Sequence, residues 1–179
     1  MSALARAAYR VRQFAAALRA ELWPTPLPDL RGALGEAEGA IFRRLSRADQ
    51  RHSVAVWQTL RARGVADPDL LKAALLHDVG KAGADGASGR ITLAHRVIHV
   101  LLRAVAPAAW RRLAQSRPGD WRHAFYVQEH HAAIGAELVL GLGAPALVID
   151  LVRYHQEGGE DQPALAWRLA LLRQADASN

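Results

Sequence analysis

The stretch AALLHDVGK, Ala73 to Lys81, ends an apolar run of helical spacing in a histidine, an aspartate, a glycine and a lysine. An imidazole beside a carboxylate suits a hard or borderline metal ion. The glycine, Gly80, permits a sharp turn of the chain, and the lysine beyond it can meet an anion. The same residues also suit an ordinary helix C-terminus, where cationic side chains complement the dipole and glycine caps the end. Further ligand-capable side chains recur at the ends of other helical segments: His52, His131, His155 and Asp176. Each of these segments has an apolar face that must pack on its neighbours. Residues at several such ends can therefore converge on one pocket, as they do in metal sites built from facing helices.

The composition restricts what such a pocket can be. The 179-residue chain has no cysteine, which leaves out disulfides, thiolate zinc sites and cysteine nucleophiles and leaves His, Asp and Glu as ligands. With 51% hydrophobic residues it is long enough for one domain with a sizeable core. The net charge of +6 favours anionic partners. No block of five or more basic residues occurs and aromatics make up only 6%, so nucleic acid is not the expected partner. Lys72 and Lys81 are the only lysines; all other basic residues are arginine, as expected of a chain with a strong coding bias. A lysine retained within the motif is therefore informative. The N-terminal MSALARAAYRVRQFAAALRAELW is interrupted by arginines and lacks an uncharged targeting core. The apolar run Leu138 to Ile149 is too short to span a bilayer, so a soluble, cytoplasmic protein without membrane partners is expected.

The elements that must hold these residues read as helices throughout, with no long alternating run suggesting a strand. A first helix is expected from about Ala3 to Leu22, ending before WPTPLP, and a second from about Leu30 to Leu45. Ser46 reads as the N-cap of a third, with Asp49 in its acidic first turn, running to Gly64. Asp67 and Pro68 cap and open the next, which leads into LLHDVGK. After the small-residue loop AGADGASG, helix resumes in ITLAHRVIHVLLRAV, and a segment beginning at Trp121 leads to EHHAAIGAELVLG. GLGAP is a turn, and Pro145 and Pro163 open the last two helices. The fold class expected is all-α, a single globular helical domain.

The order His52, then His77 and Asp78, then Asp176 resembles the HD superfamily of metal-dependent phosphohydrolases, which takes its name from the His-Asp doublet. The fuller match runs through RHSVAVW, AALLHDVGK, HHAAIGAELV, VRYHQE and LRQAD, and resembles the HDIG type. It covers roughly Asp49 to Asp176. The resemblance implies an HD-type metal-binding helical domain over residues 49–179, with residues 1–48 forming N-terminal helices that pack on the core or at an oligomer contact. It implies His52, His77, Asp78 and Asp176 as core metal ligands, with Asp78 bridging if two ions bind, and His131 and His155 completing a second ion. One or two divalent transition ions are implied, Fe, Mn, Co, Ni or Zn, with Mg admissible. The implied function is hydrolysis of a nucleotide or other small phosphate ester, a phosphomonoesterase or phosphodiesterase reaction using a metal-bound hydroxide. Asp78 and Lys81 would be the catalytic residues, Lys81 facing a phosphate oxygen. The alternatives are an HD-fold module binding a phosphorylated signalling ligand without turnover, and an HD-type di-iron oxygenase; homo-oligomerisation is left open.

The sequence departs from that pattern in places. Ala132 stands where many relatives have proline, and Gln156 follows His155 where relatives often have a second histidine. GGEDQP replaces the GYP signature of cyclic dinucleotide phosphodiesterases, which argues against that substrate. Asp176 lies close to the C-terminus, where fraying would weaken its ligation. His95 and His99, spaced i, i+4, lack the glutamate of an HExxH zincin and are read as surface or groove residues. His123 is read as a helix-surface residue. His130 competes with His131, which the following AAIGAELV favours.

Overall fold

The computed structural model describes residues 26–83, 108, 110, 115 and 123–179; the expected helices at Ala3 to Leu22 and from Ile91 onward lie outside them, as do His95 and His99. Among the described residues the chain is all-α, with six α-helices, one 3₁₀ segment and no strand. These are α1 (Glu36–Phe42), α2 (Arg47–Ala62), α3 (Pro68–Leu76), the 3₁₀ segment (Val79–Ala82), α4 (His123–Gly141), α5 (Ala146–Tyr154) and α6 (Pro163–Ser178). No described helix is long and apolar enough to cross a membrane.

Caps set where the central helices begin. The Ser46 hydroxyl accepts from the Asp49 amide at 3.1 Å, satisfying one of the four free N–H groups at the start of α2. The Asp67 carboxylate accepts from the amides of Asp69 and Leu70 at the start of α3, and Pro68 occupies a first-turn position where no amide hydrogen is needed. Asp67 also accepts from Arg168 Nε at 2.7 Å, so the cap of α3 is tied to α6. The second expected helix is shorter than its apolar pattern suggested. Residues 31–34 form turns, and Gly35 is the N-cap of α1, with its amide donating to Glu38 at 2.8 Å.

Helix α3 is apolar around most of its circumference, and Leu70, Ala73, Ala74, Leu75 and Leu76 are completely buried. A helix of that kind belongs at the centre of a core. Leu60 of α2, Leu151 of α5, and Leu169 and Leu172 of α6 belong to the same buried cluster. Each such leucine stabilises the fold by about 1.5–3 kcal/mol through burial. Leu34, Ile41, Phe42 and Leu45 belong to this cluster too, so residues 34–45 pack on the core directly.

Beyond Leu76 the chain tightens into the 3₁₀ segment, where the Lys81 amide donates to the Asp78 carbonyl at 2.9 Å. Gly80 does not supply the sharp turn expected of it. A Cβ there would meet the His131 carbonyl oxygen at 1.9 Å and the Gly135 nitrogen at 2.6 Å. Gly80 lets the backbone of the 3₁₀ segment lie directly against α4, and the turn itself falls to Gly83, at φ 74°. The contact fixes the His-Asp doublet against the helix that carries His131.

Candidate metal centre

Six side chains from five elements meet at one end of this bundle. His52 comes from α2, His77 and Asp78 from the junction after α3, His131 from α4, His155 from the end of α5 and Asp176 from the last turn of α6. All six residues named from the sequence are brought together, in two groups that share Asp78. His52, His77 and Asp78 present ligand atoms within 4.8 Å of one another, and so do Asp78, His131 and His155. Asp176 joins the first group, its Oδ1 lying 2.7 Å from His52 Nε2 and 3.9 Å from His77 Nε2. The imidazoles form a chain, with ring centroids 5.4 Å apart for His52 and His77, 5.1 Å for His77 and His155, and 5.2 Å for His155 and His131.

The backbone fixes the tautomers of three of these rings. Nδ1–H of His77 donates to Ala74 O at 2.9 Å, that of His131 to Gln128 O at 2.8 Å, and that of His155 to Val152 O at 2.8 Å. A carbonyl can only accept, so in each ring Nδ1 carries the proton and Nε2 keeps a lone pair facing the centre. This is how metal-ligating imidazoles are oriented by their other nitrogen. Buried polar atoms ordinarily have partners, yet His77 Nε2 is buried and makes no hydrogen bond. His131 Nε2 and His155 Nε2 lie 3.3 and 4.0 Å from Asp78 Oδ1, whereas His77 Nε2 lies 3.6 Å from Asp78 Oδ2. The donor set fits divalent transition ions: imidazole nitrogens directed inward, carboxylates between them, and one buried donor atom left without a partner.

Electrostatics favour a cation here. Asp78 and the buried Asp49 share the ammonium of Lys81, at 2.6 and 3.8 Å, and Asp176 adds a third carboxylate beside His52. Burial would raise the Asp78 carboxyl, but the charge of Lys81 outweighs it and holds it well below its ordinary value. Burial likewise opposes ionisation of Asp176, but the His52 hydrogen bond and the charges of His77 and His52 bring it down to about 2. His155 is pushed down to about 3, by burial first and then by the charges of His77 and His131, and burial also lowers His77. Both therefore remain lone-pair donors at neutral pH. His52 differs: burial lowers it, but the Asp176 hydrogen bond and the charge of Asp78 leave it raised.

Lys81 lies at the centre with its Nζ 2.6 Å from Asp78 Oδ2 and 3.8 Å from Asp49 Oδ1. Asp49 is more than a first-turn residue of α2, since it is buried and shares the lysine with Asp78 of the His-Asp doublet. The signal was its place three residues before His52, on the same face of the helix. Gln156, noted only as a departure, donates its amide towards His131 Nε2 at 3.2 Å. Asp176 is not at a frayed end. Helix α6 continues to Ser178, and the Asn179 side chain donates to Ala175 O at 2.8 Å and to Thr59 Oγ1 of α2 at 3.0 Å. His123 is buried and stacked on Tyr126, not on the surface. His130 is exposed, which leaves His131 as the inward residue of the pair. Compared with family models, curated proteins and solved structures, the chain matches none.

Proposed function

We propose that the protein is a metal-dependent phosphohydrolase of the HD type, acting on a nucleotide or another small phosphate ester. The observation that carries this reading is the sharing of Asp78 between two groups of inward-facing ligands. His52, His77, Asp78 and Asp176 would hold one divalent ion, and Asp78, His131 and His155 a second. Ions so held, when bound, acidify a coordinated water and screen the charge of a phosphate group. The protein's own residues do the rest. The backbone-locked imidazoles keep their lone pairs fixed, so little reorganisation is needed when charge develops. The Lys81 ammonium, 15% exposed, is within reach of both Asp78 and the outside of the centre, where it can neutralise a phosphate oxygen. The net charge of +6 draws anionic substrates to the protein.

Elemental analysis of the purified protein, followed by a panel of phosphate esters with Mn, Fe, Co and Ni, tests this reading. Ion uptake with phosphate release from one class of ester is the expected result. Ion uptake and tight binding of a phosphorylated compound without release would make the protein a binding module. Consumption of dioxygen would indicate oxygenase chemistry at the same ligands.

A further inference from the structure

The end of α5 carries His155, and what fixes that end is a residue of another helix. Arg173 of α6 donates from Nε to the His155 carbonyl at 3.1 Å and from Nη2 to the carbonyls of Tyr154 and Gly158 at 2.6 and 2.7 Å. Its Nη1 donates to Glu160. The last carbonyls of a helix have no partner within it, and here a rigid guanidinium supplies one from outside. His155 is thereby held at both ends, its carbonyl by Arg173 and its ring by the Nδ1–H bond to Val152 O. Arg173 also precedes Asp176 by three residues on α6, so the two side chains share a face of one helix. The element that carries a ligand of the first group thus anchors a ligand of the second.

We infer that Arg173 is a positioning residue that holds His155 for the second ion and sets its place relative to Asp176. This rests on the two-ion reading above. A lysine at 173 keeps the charge but cannot make the forked contacts to three carbonyls at once. Arg173 is 26% exposed, so water can reach the carbonyls it would release.

The test is titration of metal-depleted protein with Co²⁺, comparing wild type with Arg173→Lys and Arg173→Ala. Bound ions are counted by elemental analysis, the visible Co²⁺ spectrum reports each equivalent, and far-ultraviolet circular dichroism reports the fold. Wild type should take two equivalents. In both variants the first should bind within about two-fold of wild type and the second about 10–100-fold more weakly, the usual loss when support behind a ligand is removed. Loss should be greater for alanine than for lysine. Two equivalents bound with unchanged affinity and spectrum would overturn the inference alone. So would equal weakening of both equivalents or loss of the fold in both variants, each of which makes Arg173 a general fold contact. A wild type that takes fewer than two equivalents removes the two-ion reading and this inference with it.

Discussion

The Asp78 carboxylate and the Lys81 ammonium form a 2.6 Å ion pair in which the carboxylate is only 3% exposed. The pair uses Oδ2, while Oδ1 faces His131 at 3.3 Å and His155 at 4.0 Å. Asp78 is therefore the residue through which the two ligand groups and the lysine are linked. Its replacement should be felt by all of them.

Asp78→Asn keeps the shape of the side chain and removes its charge. Elemental analysis should show both ions reduced to less than about a tenth of wild type, beyond the 10–100-fold effects of residues behind a ligand. The metal-depleted variant should also be less stable, by up to about 3 kcal/mol, because Lys81 loses its nearest carboxylate in a largely buried site. Asp78→Asn combined with Lys81→Met should recover most of that stability in urea denaturation and none of the ions. Full ion content in the single variant would remove Asp78 from the ligand set.

Gly80→Ala tests the contact that positions the doublet. The added methyl would fall 1.9 Å from the His131 carbonyl oxygen, a backbone atom that cannot rotate away. The 3₁₀ segment must then move off α4, with a loss of about 3 kcal/mol or more, at the upper end for overpacking. The move also separates Asp78 from His131, so the variant should bind the second ion poorly even where it folds. Gly32→Ala, with nothing within 4 Å and no positive φ, is the control and should change stability by less than about 0.5 kcal/mol. A Gly80→Ala protein as stable as this control would mean that the backbones are not in contact.

These residues show what the sequence made legible. Caps at Ser46 and Asp67, the prolines at 68 and 163, and the 3.6-residue apolar period all act locally, and the helices begin where those signals stand. The candidate ligands were legible because metal chemistry restricts residue type strictly and helix ends restrict position. Gly80 was visible but its reason was not, since close approach to α4 depends on His131 and Gly135, more than fifty residues away in sequence. Asp49, Gln156 and Arg173 were obscured for the same reason. Each has an ordinary local reading, as first-turn acid, departure from a pattern or solvated cation, and only tertiary packing gives it another. The late start of the second expected helix reflects Gly32 and Gly35, which interrupt its apolar pattern.

The pH dependence of the metal-depleted protein should have a maximum near 6.5. Below that value an unfolded histidine binds a proton that folded His155, held at about 3, does not. Stability should fall on acidification by about 1.4 kcal/mol per pH unit for such a group, with buried His77 acting in the same direction. Asp176 adds stability that is complete above its ordinary 3.8 and lost as pH falls towards about 2. His52 acts oppositely: its raised value means a stabilisation complete below 6.5 and lost as pH rises through that raised value. Urea midpoints measured from pH 4 to 8 should therefore rise and then decline. A monotonic rise through pH 8 would show that the His52 and Asp176 pair does not form.

Lys81 decides between a helix end and a reactive centre. A solvated lysine at a helix C-terminus interacts with the dipole alone, and its replacement by alanine would change stability by less than about 1 kcal/mol and nothing else. The observed lysine is instead 15% exposed and placed between Asp78 and Asp49. Ions bound at Asp78 would compete for the oxygen it now holds, while Asp49 would keep the ammonium at the centre. With the proposed substrate class, Lys81→Ala should therefore retain both ions, and bind them no more weakly than wild type, because a competing cation has been removed. Turnover of the ester should fall by roughly 10²–10³, the scale for loss of one contact to developing charge. Lys81→Arg should restore little, since the planar fork is too large for the space between two carboxylates that holds a compact ammonium. Normal ion content with unchanged turnover in Lys81→Ala, on an ester that wild type hydrolyses, would leave Lys81 as a counter-ion of Asp78 and no more.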